Sequence, residues 1–299
     1  MRNPFRAPTI RQALSSTDHT QAAESEFYDY LRLPNGTFKT TRPGRLADVD
    51  ELLISQLSAA DKPLQILDVG VSSGTLSAEL ESRLAGQGIA ANVYASDLYL
   101  EAQCMKCWPL HLLTLPDGHL LQVDIGRLSF PNTPPSRLSQ LVFRLARSLQ
   151  PLLRRRGRAN KTLQLISGTA RSSAVQFSQG DVFGQLWERE PERRFDVIRV
   201  ANLLNTAYFS REKLAQAAAN LWLHLREQGL LVVARSHEQG NLCTLFRKQG
   251  DGFVSVAQLG GGVEITPLIL QTHGMLTPDS RRQAAVHHSA KKLPDERRC

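Results

Sequence analysis

Apolar runs and helical stripes alternate along the middle of the chain. Leu64-Gln65-Ile66-Leu67-Asp68-Val69 is a short apolar run after Pro63, the pattern of a strand buried on both faces. Gly70 to Gly74 follows as a turn of small residues. Thr75 to Leu84 then sets Leu76, Leu80 and Leu84 on one helical side, and Gly86 and Gly88 end the stripe. Ala91 to Asp97 reads as a second strand, which completes a βαβ unit. The alternation resumes with strands at Ala174–Phe177, Phe195–Asn202 and Leu230–Ala234. The periodicity predicts a helix from Arg211 to Arg226, stopped by Gln228-Gly229. Leu242–Arg247 and Phe253–Leu259 flank Gly250-Asp251-Gly252, an Asp-Gly hairpin signal.

The expected fold is α/β: a doubly wound, mostly parallel seven-stranded sheet with a terminal antiparallel hairpin. An inserted segment, 99–173, interrupts it. There Leu110–Leu115 and Leu120–Ile125 read as a hairpin, and Ser136–Leu153 as a helix with one leucine-rich stripe. Residues 1–24 and 272–299 carry no apolar period. They are expected to be a flexible N-terminal segment and a disordered basic tail around a single domain, 25–271.

Composition sharpens this. The chain holds 36 Lys+Arg against 28 Asp+Glu, a net charge of +8, and its 41% hydrophobic residues suffice for a core. No run has the length of a membrane-spanning helix, and the first residues lack the apolar stretch of a secretory signal. The expected location is cytoplasmic, with a peripheral membrane association open. The charge is local: between Asp124 and Asp181 there is no acidic residue but ten basic ones, from Arg127 to Arg171. Such a block attracts an anionic partner, either a membrane surface or a nucleic acid. The helix within it reads first as a lid over a ligand cleft and second as a membrane-surface helix. Cys104 and Cys107, with His111 and His119 beyond, do not have the spacing of a zinc site and read as free thiols, so no metal is expected.

Candidate chemistry collects where strands end. Ligands of doubly wound sheets sit at the carboxyl ends of the strands, where the strand order reverses. Gly70, Ser72, Ser73 and Gly74 form a small-residue loop after the first strand. Asp97 closes the second strand, placed to accept from a ribose diol, and Asp181 closes the third after Gln179-Gly180.

The segments Leu67-Asp68-Val69-Gly70-Val71-Ser72-Ser73-Gly74, Asp97, Gly180-Asp181-Val182-Phe183 and Phe195–Asn202 together resemble the class I S-adenosylmethionine-dependent methyltransferases. The likeness covers roughly residues 60–100 and 170–262. Ser72 stands where that family usually has its middle glycine, and some seventy residues replace a short helix before the third strand. Phe195–Val233 is also similar to chemotaxis-receptor methyltransferases, over too short a stretch to carry their substrate across. The resemblance implies S-adenosyl-L-methionine as cofactor. Asp68, Gly70, Ser72, Ser73 and Gly74 would surround its methionine and ribose, Asp97 the ribose hydroxyls, and Leu98 the adenine. Asp181 and Val182 would read the adenine edge, and Asn202 and Leu203 would face the sulfonium.

Alignment of donor and acceptor is the main catalytic task in such a transfer. A base is needed only for a protonated acceptor, and His237 and Tyr208 are the catalytic candidates, with Glu238 beside the first. The expected function is methyl transfer to a small-molecule or lipid-like acceptor. The alternatives are an RNA- or protein-modifying methyltransferase using the basic insertion, and a non-catalytic binding protein on the same fold. The oligomeric state stays open.

Overall fold

The computed structural model describes residues 8–10, 21–34, 36, 38–39, 42–58, 61–132, 137–155, 160–187, 189–190 and 192–272. The tail beyond residue 272 and most of the expected N-terminal segment lie outside the described residues. The chain divides into two compact units. One comprises Met1–Arg45, Val71–Ser82 and Asp97–Val175, and the other Leu46–Gly70, Arg83–Ser96 and Gln176–Cys299.

The second of these units carries a seven-stranded sheet. Its elements are α2 (Ala47–Ser55), β1 (Leu64–Val69), β2 (Ala91–Asp97), β8 (Gln176–Gln179), β9 (Phe195–Ala201), α6 (Arg211–His224), β10 (Leu225–His237), β11 (Gly240–Gln249), β12 (Gly252–Leu259) and α7 (Thr266–Leu270). The strand order is β12-β11-β10-β9-β1-β2-β8. β1 runs parallel to β2 on one side and to β9 on the other, with Leu67 opposite Tyr94 and Ile198, and β10 is parallel to β9. The order therefore reverses between β1 and β9, the switch point of a doubly wound sheet. β10, β11 and β12 are antiparallel neighbours and form the expected terminal hairpin.

The apolar runs form strands because both faces are covered: Leu67, Ile198, Val200, Leu231 and Val233 are buried together with Leu214, Ala217 and Leu221 of α6. The helix expected to reach Arg226 ends at His224. Leu225 already pairs with Phe195, and the register shifts before Leu230 as the chain passes through Gln228 at φ 62°. A Cβ at Gly229 would lie 2.8 Å from the Arg226 carbonyl, so the Gln-Gly pair makes a bulge inside β10 rather than a helix stop.

The other unit holds a five-stranded antiparallel sheet, β6-β5-β4-β3-β7. Its strands are β3 (Glu101–Cys107), β4 (Leu110–Thr114), β5 (Leu120–Ile125), β6 (Leu128–Pro131) and β7 (Asn160–Gln164). The expected hairpin is its β4–β5 centre. The other three strands escaped sequence reading because β3 and β7 are half-exposed and polar, and β6 has only four residues. Alternation along the strands gives the sheet two apolar faces. Ala102, Cys104, Leu113 and Leu163 pack with Phe27 and Leu31, at and just beyond the end of α1 (Gln21–Tyr30). Met105, Leu112, Val123 and Phe130 pack with Ala146 of α4 (Arg137–Arg155). Cys104 is buried on one face and Cys107 is exposed at the strand end. Among the described residues no His/Cys/Asp/Glu group could hold a metal, and no helix is long and apolar enough to cross a membrane.

Candidate functional site

The loop after β1 is a strained turn that leads into α3 (Thr75–Gly86). Gly70 and Gly74 have φ of 75° and 77°, which glycine adopts freely, but Ser72 has φ 58° with a Cβ in place. A left-handed residue of this kind costs roughly 1–2 kcal/mol, so other contacts must hold it. The Ser72 N–H donates to Asp97 Oδ2 at 2.7 Å, and the Ser72 carbonyl accepts from Lys39 Nζ at 2.9 Å. Ser73 turns inward: its hydroxyl lies 3.2 Å from Thr75 Oγ1, which donates to Ser167 Oγ. The Ser167 N–H closes the cluster on the Ser73 carbonyl at 2.8 Å. Ser167 also caps the short helix α5 (Gly168–Arg171).

Asp97 is the hub of this loop. Besides Ser72 it accepts from the Tyr99 N–H on Oδ1 at 2.9 Å, and Lys39 Nζ stands 3.6 Å from Oδ1. Lys39 is only 1% exposed. Burial pulls its ammonium below the usual lysine value, and the Asp97 carboxylate opposes that pull. Nothing in the polar stretch around Lys39 marked it in the sequence. A carboxylate offers about four lone-pair positions. Among the described residues Oδ2 accepts from the Ser72 N–H alone, so it has room for another donor. The Ser72 hydroxyl beside it is buried without a partner, an orphan of the kind a bound hydroxyl or amine would satisfy. Leu98, next in the chain, is 41% exposed.

The other strand ends are built differently. Asp68 is bound in a fork by Arg199, Nε to Oδ1 at 3.0 Å and Nη2 to Oδ2 at 2.6 Å. The two residues are register partners on β1 and β9. Arg199 Nη1 also bonds Asp50 of α2 at 2.5 Å, and the guanidinium is fully buried. One cation thus serves two carboxylates. Burial would weaken the Arg199 proton, but Asp68 and Asp50 outweigh it and raise its pKa. The unbalanced charge falls on Asp50: burial raises its pKa to about 6, although Arg199 opposes the shift. A charged residue inside the apolar run Phe195–Ala201 was the available sign that a buried partner existed.

Gly70 packs against Leu203, 3.0 Å from where a Cβ would sit, so the loop and the end of β9 leave no room for a side chain there. Asn202 is left-handed at φ 58°. Its N–H bonds the Ala234 carbonyl, its Oδ1 accepts from the Ser236 N–H at 2.7 Å, and its Nδ2 lies 3.3 Å from Ser236 Oγ. The side chain therefore ties β9 to β10.

At the end of β8, Gly180 has no space for a Cβ, which would lie 2.1 Å from the Leu186 carbonyl. Asp181 Oδ1 accepts from the Phe183 N–H at 2.9 Å and shapes the turn. Val182 is buried in the core cluster. Asn220 of α6 holds this turn by donating to the Val182 and Gly184 carbonyls. His237 is exposed at the end of β10, and Tyr208 is 59% exposed with its ring near Phe209.

Comparison with known proteins gives a fold-level likeness. No protein-family profile matches the chain, and no curated protein does. Among solved structures, it is similar to the CMeT domain of the citrinin polyketide synthase, at 13% identity and a TM-score of 0.35 over 74% of this chain and 41% of that one. It is also similar to an O-methyltransferase family protein from Burkholderia thailandensis, at 12% identity and 0.31 over 63% and 37%. A third is the glycopeptide N-methyltransferase MtfA, complexed with sinefungin, at 12% identity and 0.32 over 67% and 53%. The chain spans about four-tenths to half the length of these structures. Likeness at such scores carries no weight for activity. The α/β class rests on the strand order itself.

Proposed function

We propose that this chain is a class I S-adenosylmethionine-dependent methyltransferase acting on a small-molecule or lipid-like acceptor. The observation that carries the reading is the Ser72–Asp97 arrangement. A left-handed small residue after β1 holds its N–H on the carboxylate that ends β2, beside an orphaned buried hydroxyl. That combination suits a nucleoside ribose: Asp97 Oδ2 can accept one hydroxyl, and Ser72 Oγ can bond a second polar group. The backbone strain at Ser72 is then part of a preformed cradle.

The cofactor, when bound, supplies an electrophilic methyl carbon on a positively charged sulfur. The chain's own residues bind, orient and exclude water. Gly70, Ser73 and Gly74 would keep the loop narrow and close to the ligand, and Leu98 would lie against the base. Asp68 would act through the rigidity of β1, since its fork is spent on Arg199. The family resemblance assigns Asp181 and Val182 to the adenine, and Asn202 and Leu203 to the reacting end. His237 or Tyr208 would take the acceptor's proton where the acceptor is protonated; both are solvent-accessible, as a proton exit requires.

Calorimetry with S-adenosylmethionine tests the cofactor. Saturable heat with an affinity weakened about tenfold or more in Asp97→Ala but kept in His237→Ala supports the reading. No heat and no thermal shift at high cofactor leaves a non-catalytic protein on this fold. Mass spectrometry of a cell extract incubated with deuteromethyl-labelled cofactor then identifies the acceptor. Label on RNA or protein rather than on a small molecule or lipid would overturn the acceptor class.

A further inference from the structure

Helix α4 has more apolar surface than its own sheet covers. Ala146 is buried against Met105, Leu112, Val123 and Phe130, and Val142, Phe143 and Leu153 pack beside it. Yet Leu138, Leu141, Leu145, Leu149 and Leu152 are 44–58% exposed. At 3.6 residues per turn these five leucines fall within an arc of roughly 80°, a continuous stripe along the helix. Arg137 and Arg144 lie within about 60° of its edge by the same geometry. Arg147 lies on the flank away from the stripe, where it and Arg144 line a recess of ≈ 210 Å³ with Asn132, Ser139, Gln140 and Phe143. All three arginines are exposed, and among the described residues no carboxylate pairs with them. None lies nearby in sequence either, since 125–180 is free of Asp and Glu.

We propose that α4 docks this protein on an anionic phospholipid surface, with the leucine stripe in the acyl boundary and Arg137 and Arg144, at the edge of the stripe, reaching lipid phosphates. Charge complementarity commits the face to this occupant. A nucleic acid would pair with the arginines and leave five leucines in water. A second copy would bring like charges of two helices together. Leucine with flanking arginine is the composition of a helix lying in a bilayer interface, whereas leucine is under-represented among protein hot spots. Guanidinium forks suit phosphate, and arginines at the edge of an apolar stripe match headgroups above acyl chains.

The test is co-sedimentation of the full chain with phosphatidylcholine vesicles, with and without phosphatidylglycerol. It needs no cofactor, so its failure is separate from failure of the methyl-transfer reading. Binding is expected only to the anionic vesicles. Arg137→Gln with Arg144→Gln should weaken it about 25-fold, since each basic residue near the surface contributes about fivefold. Leu141→Ser with Leu145→Ser should weaken it roughly tenfold or more. These are exposed positions, and an unchanged urea midpoint shows that the variants fold. Equal binding to both vesicle types, or variants that bind as well as the parent, would overturn the proposal. So would a dimer in solution that the leucine variant abolishes, or single-stranded RNA binding that the leucine variant retains while anionic vesicles fail to bind. Free inorganic phosphate that binds without any vesicle binding would also overturn it, in favour of a soluble anion.

Discussion

Asp68 and Asp97 end neighbouring strands, and each meets a buried cation, but the two pairs are built for different ends. Asp68 spends both oxygens on one guanidinium, which also grips Asp50. Asp97 meets a single ammonium at 3.6 Å and two backbone N–H groups, one on each carboxylate oxygen. The first carboxylate is locked between packed elements. The second holds a strained loop open beside an orphaned hydroxyl. A carboxylate at a strand end is thus no sign of a ligand until its partners are counted.

The largest effect should come from removing the shared cation. Arg199→Met removes the guanidinium that two buried carboxylates share, and breaking a buried pair this way costs about 3–5 kcal/mol. Urea denaturation measures it. A loss below about 1 kcal/mol would mean that the triad is not what holds β1, β9 and α2 together.

Asp97→Ala should weaken cofactor binding about tenfold or more, since a hydrogen bond to a charged group contributes roughly 1.5–3 kcal/mol. It also strands Lys39, so Asp97→Asn with Lys39→Met is the balanced control. Asp68→Asn, by contrast, should lower stability and leave the affinity of the folded protein near its parent value. If calorimetry shows the opposite ranking, the distinction between the two aspartates fails.

A pH series sharpens the locked site. Asp50 is raised from its usual 3.8 to about 6 by burial, so between those values the folded chain holds a proton that the unfolded chain has lost. Its contribution to stability is therefore present below about pH 4 and declines as pH rises through about 6, by roughly 1–3 kcal/mol. Asp50→Asn should flatten that limb of the urea midpoint against pH. A limb unchanged by the substitution would assign it to another group.

The smallest effect is at the loop. Ser72→Gly relieves the left-handed strain and should stabilise the protein by about 0.5–1 kcal/mol, offset in part by the flexibility of glycine. If the Ser72 hydroxyl binds the cofactor, affinity falls severalfold at the same time. Thermal melts with and without cofactor separate the two.

The strands β1, β2, β9 and β10 were legible because parallel strands buried on both faces leave long apolar runs. β3, β6 and β7 were not, since an edge strand or a half-exposed one has no such run. The helix end at His224 was missed because Gln228-Gly229 serves a bulge as well as a stop, and only pairing of Leu225 with Phe195 decides between them.

The chain's own order of residues determined the alternation of strands and helices, the small-residue turn after β1, and the acid-free basic block from 125 to 180. These are local, set by periodicity, steric freedom and charge along a contiguous stretch. Tertiary structure alone decided which charges meet. Lys39 reaches Asp97 across 58 residues, and Arg199 reaches Asp50 across 149. Such pairs form because burial makes an unpartnered charge costly, and burial is a property of the packed chain rather than of any segment within it.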